Sequence, residues 1–178
     1  MKKIIISGKV FRILIPSSVI QENVKILAQR INEDFTGKEV LFIGIMNGAF
    51  MFASDLLKKI KLTCRISFLK LTSYKGSAST GNVQCLIGMN EDIKGKTVIV
   101  LEDIVDTGLT LETVVRQIKE HEPEMVKVVT LLLKPDVFKN QLSLDYTGIE
   151  IPNEFIVGYG LDYNGYGRNF KDIYVFEK

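Results

Sequence analysis

The sequence predicts an α/β fold in which a mostly parallel, twisted sheet is flanked by helices. Runs that are apolar at nearly every position, such as 39–45, 96–102 and 125–134, have the length and composition of strands buried on both faces. Segments with apolar residues at helical spacing alternate with these runs. At 178 residues, 46% of them hydrophobic, the chain is expected to form a single domain over 1–178.

The helices and strands are predicted from periodicity and from local start and stop signals. The first helix follows Pro16, where Ser18 and Gln21 have the spacing of a capping box, and Gly37 marks its end. The polar segment 73–82 is predicted to form a lid loop between two strands. The other predicted elements are a strand at 39–45, a helix at 49–60, strands at 65–71, 83–89 and 96–102, a helix at 109–121 and a strand from 125 to 134.

The composition excludes several classes of partner. The 23 basic and 21 acidic residues leave a net charge of +2, too small for a general nucleic-acid or membrane surface. The sequence holds no apolar stretch of transmembrane length, and Lys9 interrupts the first apolar run before a signal-peptide core could form. We therefore expect a cytoplasmic protein with no nucleic-acid and no membrane partner.

Ligands of open α/β sheets bind beyond the carboxyl ends of the strands. The loops after Ile45, Leu101 and Leu133 are therefore expected to converge on one crevice. The chain contains neither the GxxxxGK[ST] loop of many nucleotide triphosphatases nor the GxGxxG fingerprint of dinucleotide-binding domains. A site in this crevice must belong to another class.

The strongest motif is VIVLEDIVDTGLT, residues 98–110, where three carboxylates follow an apolar strand. Glu102 and Asp103 are predicted at the strand end, where two carboxylates suit a sugar diol or a hard cation such as Mg²⁺. A helix start with a glycine and two hydroxyls suits a phosphate group. Helix capping by Asp103 or Asp106 is the simpler alternative, but it does not explain the whole pattern. The residues expected to form the phosphate cradle are Thr107, Gly108 and Thr110.

This motif resembles the phosphoribosyl-pyrophosphate motif of type I phosphoribosyltransferases and is most similar to that of the hypoxanthine-guanine branch. The resemblance continues through IGIMNGAFMF, LTSYKGSASTGN, VTLLLK and NEFIVGYGLDYNGYGRNF. It implies the type I fold with a small hood built from terminal segments. It also implies transfer of a phosphoribosyl group from phosphoribosyl pyrophosphate to N9 of a 6-oxopurine, in a homodimer or homotetramer.

The resemblance also implies a role for each residue of the acidic motif. Asp106 would be the catalytic acid/base that manages the proton at N7 of the purine. Glu102 and Asp103 would hold the ribose hydroxyls, directly or through Mg²⁺. The cradle at residues 107–110 would bind the 5′-phosphate.

Further residues are implied for the purine and the pyrophosphate. Lys134 would donate to the 6-oxo group, Phe155 would stack on the ring and the Ile156 carbonyl would face position 2. Taken alone, Lys134 is more simply a strand-end cation and Phe155 a core residue; the resemblance reverses that balance. The remaining implied assignments are Asp162 for a second Mg²⁺, Arg168 with Asn47 and Gly48 for the pyrophosphate, and Ser73 with Tyr74 for the lid.

The chain departs from the family pattern at two positions. Asn47 and Leu109 stand where lysines are usual or frequent. The Asn47 loop would then bind pyrophosphate through backbone N–H groups and an amide. The phosphate cradle tolerates the change at Leu109 because its donors are main-chain groups.

Three rival functions remain open at this point. One is a pyrimidine-operon RNA-binding regulator with the same fold, which the near-neutral charge disfavours. The second is a phosphoribosyltransferase that prefers xanthine. The third is a receiver-like or phosphatase domain built on clustered aspartates, which leaves the Thr-Gly-x-Thr segment without a use.

Overall fold

The computed structural model describes residues 3–73, 83–87, 91–139 and 141–177. None of the helices within these ranges has both the length and the hydropathy needed to cross a membrane. The described elements, in chain order, are β1 (Lys3–Ile6), β2 (Lys9–Ile15), α1 (Ser17–Asp34), β3 (Val40–Met46), α2 (Phe50–Leu57), β4 (Cys64–Ser73), β5 (Val83–Ile87), β6 (Thr97–Val105), α3 (Leu109–Lys119), β7 (Met125–Leu133), β8 (Tyr146–Glu150), β9 (Ile156–Val157) and β10 (Ile173–Phe176).

The larger sheet has six strands in the order β5-β4-β3-β6-β7-β8. The five strands from β4 to β8 in this order are parallel, and only β5 runs antiparallel, beside β4. The sheet is therefore mostly parallel, and the predicted α/β class is confirmed. β8 was not predicted, because YTGIE contains a glycine and lacks the continuous apolar pattern of the inner strands.

The central strands are apolar at successive positions because both of their faces are covered. Phe42 and Leu101 pack on the side of α1 and α2, in one buried cluster. Their neighbours Ile43 and Val100 point the other way and pack with α3 in a second cluster. Alternate residues of a strand point to opposite faces, so a strand between two helical layers needs apolar residues at every position.

A second, smaller sheet forms the hood that the family resemblance implies. Its order is β1-β2-β10-β9, and each neighbouring pair is antiparallel. The two ends of the chain therefore meet in one sheet. Phe11, Val157 and Tyr174 form its buried core.

The predicted capping box at the start of α1 is wrong. The helix begins at Ser17 after Pro16, and no side chain of this segment caps it. Instead, the Ser17 amide donates to Oδ1 of Asp172 at 2.7 Å, so the cap comes from the far end of the chain. The Gln21 amide donates to Asp55 on α2. A capping-box pattern cannot reveal a partner that only tertiary folding supplies.

Several predicted boundaries also need correction. The central strand β6 does not end at Glu102 but continues to Val105, so Glu102 and Asp103 lie within it. The helices α2 and α3 end two or three residues earlier than predicted. Ser73 is the last residue of β4 rather than a loop residue, and the rest of the predicted lid, 74–82, lies outside the described residues.

The contact between Asp172 and Ser17 predicts a pH-dependent contribution to stability. Replacement of Asp172 by alanine should lower the free energy of unfolding by about 1–2 kcal/mol at neutral pH, because the first turn of α1 loses its acceptor. Urea unfolding checks this value. Glu22→Ala is the control, since that carboxylate lies on α1 itself, is exposed and pairs with Lys25.

The same pair of proteins tests the sign of the pH dependence. Burial opposes ionisation of Asp172, but the hydrogen bonds from Ser17, with the charge of Lys171 and a hydrogen bond from Tyr174, outweigh it and hold the pKa of this carboxyl below its usual value. The advantage of the wild type should therefore be complete above about pH 4, the pKa of an unfolded aspartate, and decline as the pH falls through the folded pKa. An advantage that grows on acidification would contradict this account.

Candidate active site

Two adjoining depressions lie at the carboxyl edge of the larger sheet. They share Ile104 and Asp106, and their volumes are about 300 Å³ and 350 Å³. The first, here called the loop pocket, is lined by Ile45, Met46, Glu102 and residues 104–111. The second, the hood pocket, is lined by Asn47, Gly48, Asp103, Ile104, Asp106, Lys134, Phe155, Ile156, Leu161, Asp162 and Arg168. The loops that follow β3, β6 and β7 thus converge, as predicted.

The loop pocket is built around the connection from β6 to α3. Gly108 precedes the helix with φ +82°, a left-handed conformation that favours glycine, and no side chain caps this end. The alternative in which Asp103 or Asp106 caps α3 is therefore wrong. The N–H groups of the first turn have no partner inside the helix, which makes this end a site for an anion. Leu109 lines the loop pocket as well, and its side chain is 65% exposed.

Glu102 and Asp103 bring two buried carboxylates to the edge between the pockets. Each residue is only 8% exposed. Burial raises the pKa of Glu102 well above its usual range, and the adjacent charge of Asp103 raises it further. Burial also raises the pKa of Asp103, although hydrogen bonds and the positive charge of Arg168 oppose the rise. Two buried acids side by side favour a bound cation, which would stabilise both in their ionised forms.

The donor set at this edge suits a hard cation that keeps other ligands. Carboxylate oxygens are the ligands that Mg²⁺ prefers, usually one or two from the protein with the remainder from water and phosphate. Among the residues that the structure describes, three or more acids, histidines or cysteines nowhere cluster closely enough to enclose a metal by themselves.

The Asn47–Gly48 loop lies directly against Asp103. A Cβ atom built on Gly48 would fall 1.6 Å from Oδ2 of Asp103, a distance that no side chain can adopt. The peptide bond between Met46 and Asn47 is cis. Both residues of the loop line the hood pocket, and Gly48 can do so only through its backbone.

Asp106 and Lys134 form an ion pair across the hood pocket. Lys134 Nζ lies 2.8 Å from Oδ1 of Asp106; the lysine side chain is 10% exposed and the carboxylate 54%. The Lys134 amide also donates to the carbonyl of Val105 at 3.0 Å, which fixes the end of β7 against the end of β6. A buried ammonium and an exposed carboxylate are thus held together at the edge that both pockets share.

The hood contributes an aromatic wall to the second pocket. Phe155 is 49% exposed, and its ring packs edge-on against Tyr163, with the ring centroids 5.6 Å apart. Phe11 contacts both rings from the hood core. Ile156, the next residue, is buried in β9. Phe155 therefore presents an apolar surface that is braced from behind, and it is not the core residue that its sequence alone suggests.

Arg168 and Asp162 close the far side of the hood pocket as an ion pair. Asp162 also accepts the Gly165 amide at 2.6 Å. Arg168 donates through Nη1 to the Gly160 carbonyl at 2.7 Å. These bonds orient the guanidinium toward the same cavity that Asp103 and Asp106 line.

Most of the site residues predicted from the sequence are brought together by the fold. The exceptions are the two lid residues: for Ser73 only the backbone is described, and Tyr74 lies outside the described residues. Sequence reasoning missed Ile104 and Leu161, which line the hood pocket, and Gly160, which holds Arg168. Ile104 and Leu161 carry no chemical signal, but the paired glycines around residue 159 do indicate an unusual turn.

Comparisons with known proteins agree with this geometry. The phosphoribosyl transferase domain model matches residues 17–164. A hypoxanthine-guanine phosphoribosyltransferase of Aquifex aeolicus is 34% identical over 97% of this chain and 98% of its own, and one from Streptococcus pneumoniae is 38% identical over 94% and 93%. A crystal structure of a Bacillus anthracis hypoxanthine-guanine phosphoribosyltransferase is 40% identical, has a TM-score of 0.89, and is aligned over 96% of this chain and 99% of that one.

The match of the phosphoribosyl transferase domain over residues 17–164 shows that the chain is a phosphoribosyltransferase, an enzyme of sugar-phosphate transfer. Within that class, the chain belongs to the hypoxanthine-guanine phosphoribosyltransferase family, since relatives of this name match nearly its whole length. The family resemblance of the acidic motif is confirmed.

The contact between Gly48 and Asp103 generates a prediction. Gly48→Ala should reduce transferase activity by about 100-fold or more, because a methyl group cannot fit beside the carboxylate and a 1 Å displacement at a site can cost that much. Steady-state kinetics measure the loss. Gly37→Ala is the control for backbone strain alone, since a Cβ there meets open space outside both pockets but the φ of +78° disfavours a side chain. Normal activity of Gly48→Ala would mean that the Asp103 position does not matter.

Proposed function

We propose that this enzyme transfers the 5-phosphoribosyl group from phosphoribosyl pyrophosphate to N9 of hypoxanthine, guanine or both, releasing pyrophosphate. The observation that carries the proposal is the ion pair of Asp106 and Lys134, which joins the two pockets. The loop pocket offers a cradle for the 5′-phosphate through residues 107–110. The hood pocket offers an aromatic wall, an ammonium and a guanidinium, which suit a 6-oxopurine and a pyrophosphate.

The reaction exchanges one bond at the anomeric carbon for another. The bond from C1′ to a pyrophosphate oxygen breaks, the bond from N9 to C1′ forms, and the purine gives up a proton. Asp106, half exposed to the cavity, accepts that proton near N7, and Lys134 donates to the 6-oxo group. Arg168 stabilises the departing pyrophosphate through charge-assisted hydrogen bonds. Phe155 stacks on the base, and the Ile156 carbonyl faces position 2.

Mg²⁺ is the proposed cofactor. Glu102 and Asp103 would hold one ion with the ribose hydroxyls, and Asp162 would hold a second one. When bound, the metal neutralises the charge that develops on the pyrophosphate oxygens. The burial of Glu102 and Asp103 supports this assignment, because two desolvated acids need a positive charge beside them.

The rival readings receive less support. The relatives that cover nearly the full chain are named as hypoxanthine-guanine phosphoribosyltransferases, so an RNA-binding pyrimidine regulator is not favoured. Preference for xanthine is left to an assay with each base, since discrimination between substituents at position 2 of the purine depends on one backbone carbonyl. Assembly into a homodimer or homotetramer stays a prediction.

Asp106→Asn is expected to lower kcat by about 100-fold or more while binding of phosphoribosyl pyrophosphate persists, because the amide cannot accept the proton. Turnover and equilibrium binding, measured on the same preparation, separate the two effects. Glu154→Gln is a control on an acid just outside the pocket lining. An unchanged kcat in Asp106→Asn would remove Asp106 from the mechanism.

Chelation of divalent metal should abolish transfer, and added Mg²⁺ should restore it. The reason is that the buried acids and the pyrophosphate otherwise repel each other in a low-dielectric site. Initial rates in excess chelator, followed by titration with Mg²⁺, test this directly. Full activity in the chelator would contradict the metal assignment.

A further inference from the structure

A tight turn at residues 158–161 carries a buried tyrosine, Tyr159, which makes a hydrogen bond to helix α2 in addition to its packing. Gly158 and Leu161 exchange two backbone hydrogen bonds of 3.0 and 3.1 Å, which close the turn. Tyr159 between them has φ +50°, an uncommon conformation for a residue with a side chain, and is only 3% exposed. Its hydroxyl donates to Oδ2 of Asp55 on α2 at 2.8 Å.

Asp55 is the meeting point of three segments of the chain. Besides the Tyr159 hydroxyl, it accepts the Gln21 amide from α1 and pairs with Lys58 at 2.9 Å. Burial by itself raises the pKa of Asp55, but the hydrogen bonds from these three side chains outweigh it, so the carboxyl has a pKa below its usual value. The acceptor is therefore a carboxylate, and hydrogen bonds to charged groups are the stronger kind.

The turn that Tyr159 anchors holds Arg168 on one side. The Gly160 carbonyl accepts Nη1 of Arg168 at 2.7 Å, and the Gly160 amide donates to the Arg168 carbonyl at 3.0 Å. Both the side chain and the backbone of Arg168 are therefore hydrogen-bonded to Gly160. Gly160 is next to Tyr159 in the chain.

On its other side the same turn touches the loop before α2. A Cβ atom built on Gly160 would lie 2.1 Å from the Gly48 carbonyl, so the two backbones are in direct contact. Helix α2 begins at Phe50, two residues after Gly48, and carries Asp55 on its second turn. The bond from Tyr159 to Asp55 therefore closes a ring that runs from the turn through α2 to Gly48 and back.

We propose that Tyr159 and Asp55 are positioning residues for the pyrophosphate part of the site. Their hydrogen bond fixes the separation between the Asn47–Gly48 backbone and the Arg168 guanidinium, the two walls between which a pyrophosphate would bind. Neither residue lines the hood pocket, so both act through Gly48 and Gly160. This inference rests on the proposed function, since it assigns the pyrophosphate to those walls.

The test is Tyr159→Phe, which removes the hydroxyl and keeps the buried ring. We expect the KM for phosphoribosyl pyrophosphate, and the Kd for pyrophosphate in the presence of Mg²⁺, to rise about tenfold, because without this hydrogen bond the two walls are no longer held at a fixed separation. The KM for the purine should stay within about twofold, because the contacts to the base are untouched. Calorimetry gives the Kd independently of catalysis.

The chain offers a matched control in Tyr146→Phe. Tyr146 is also a buried tyrosine, and its hydroxyl donates to Asp34 at 2.6 Å. This pair, however, joins β8 to the end of α1, away from the pockets. Tyr146→Phe should lose as much stability in urea unfolding as Tyr159→Phe, but it should leave the KM for phosphoribosyl pyrophosphate and the Kd for pyrophosphate unchanged. Asp55→Asn, which keeps an acceptor oxygen, should retain more pyrophosphate affinity than Asp55→Ala.

The outcomes separate this inference from the function on which it rests. Equal constants for Tyr159→Phe and Tyr146→Phe, in proteins that unfold cooperatively, would overturn the positioning role. So would equal effects on the pyrophosphate and purine constants. If the wild type binds pyrophosphate but transfers no phosphoribosyl group, the proposed function fails, while the calorimetric comparison still decides the role of Tyr159.

Discussion

The burial of two neighbouring carboxylates, Glu102 and Asp103, is the constraint on which the rest of the site depends. They lie within the central strand, where both faces of the sheet are covered, so solvent cannot stabilise their charges. Arg168 supplies a positive charge from the hood, and the absence of a side chain at Gly48 leaves room for Asp103. A phosphorylated substrate that brings a metal would complete this balance.

The hood and the larger sheet each supply part of the candidate site. The sheet edge carries Asp106 and the loop before α3, whereas Phe155, Asp162 and Arg168 come from the C-terminal segment. The ends of the chain pair in one antiparallel sheet, and Asp172 caps α1 across the boundary between sheet and hood. Transfer between a sugar phosphate and a base needs both halves in register, which these long-range bonds provide.

The central sheet could be predicted from the sequence because strands buried on both faces are apolar at every position. The acidic motif was visible for the same reason, since carboxylates after such a strand stand out. The cap of α1 was missed because Asp172 lies 155 residues from Ser17 in the chain. Gln21 has the spacing of a capping box, but its side chain bonds to Asp55 instead. The sequence around Phe155 suggests a core residue, but in the folded hood its ring is half exposed. Local patterns do not reveal partners that folding brings together.

The most direct test of the account is a product assay with phosphoribosyl pyrophosphate, Mg²⁺ and each of adenine, guanine, hypoxanthine, xanthine and uracil in separate reactions. Chromatography of the nucleotide products reads the outcome. The account predicts IMP from hypoxanthine, GMP from guanine, or both, with pyrophosphate released in equal amount. Formation of UMP or XMP alone, or no nucleotide from either hypoxanthine or guanine, would contradict it.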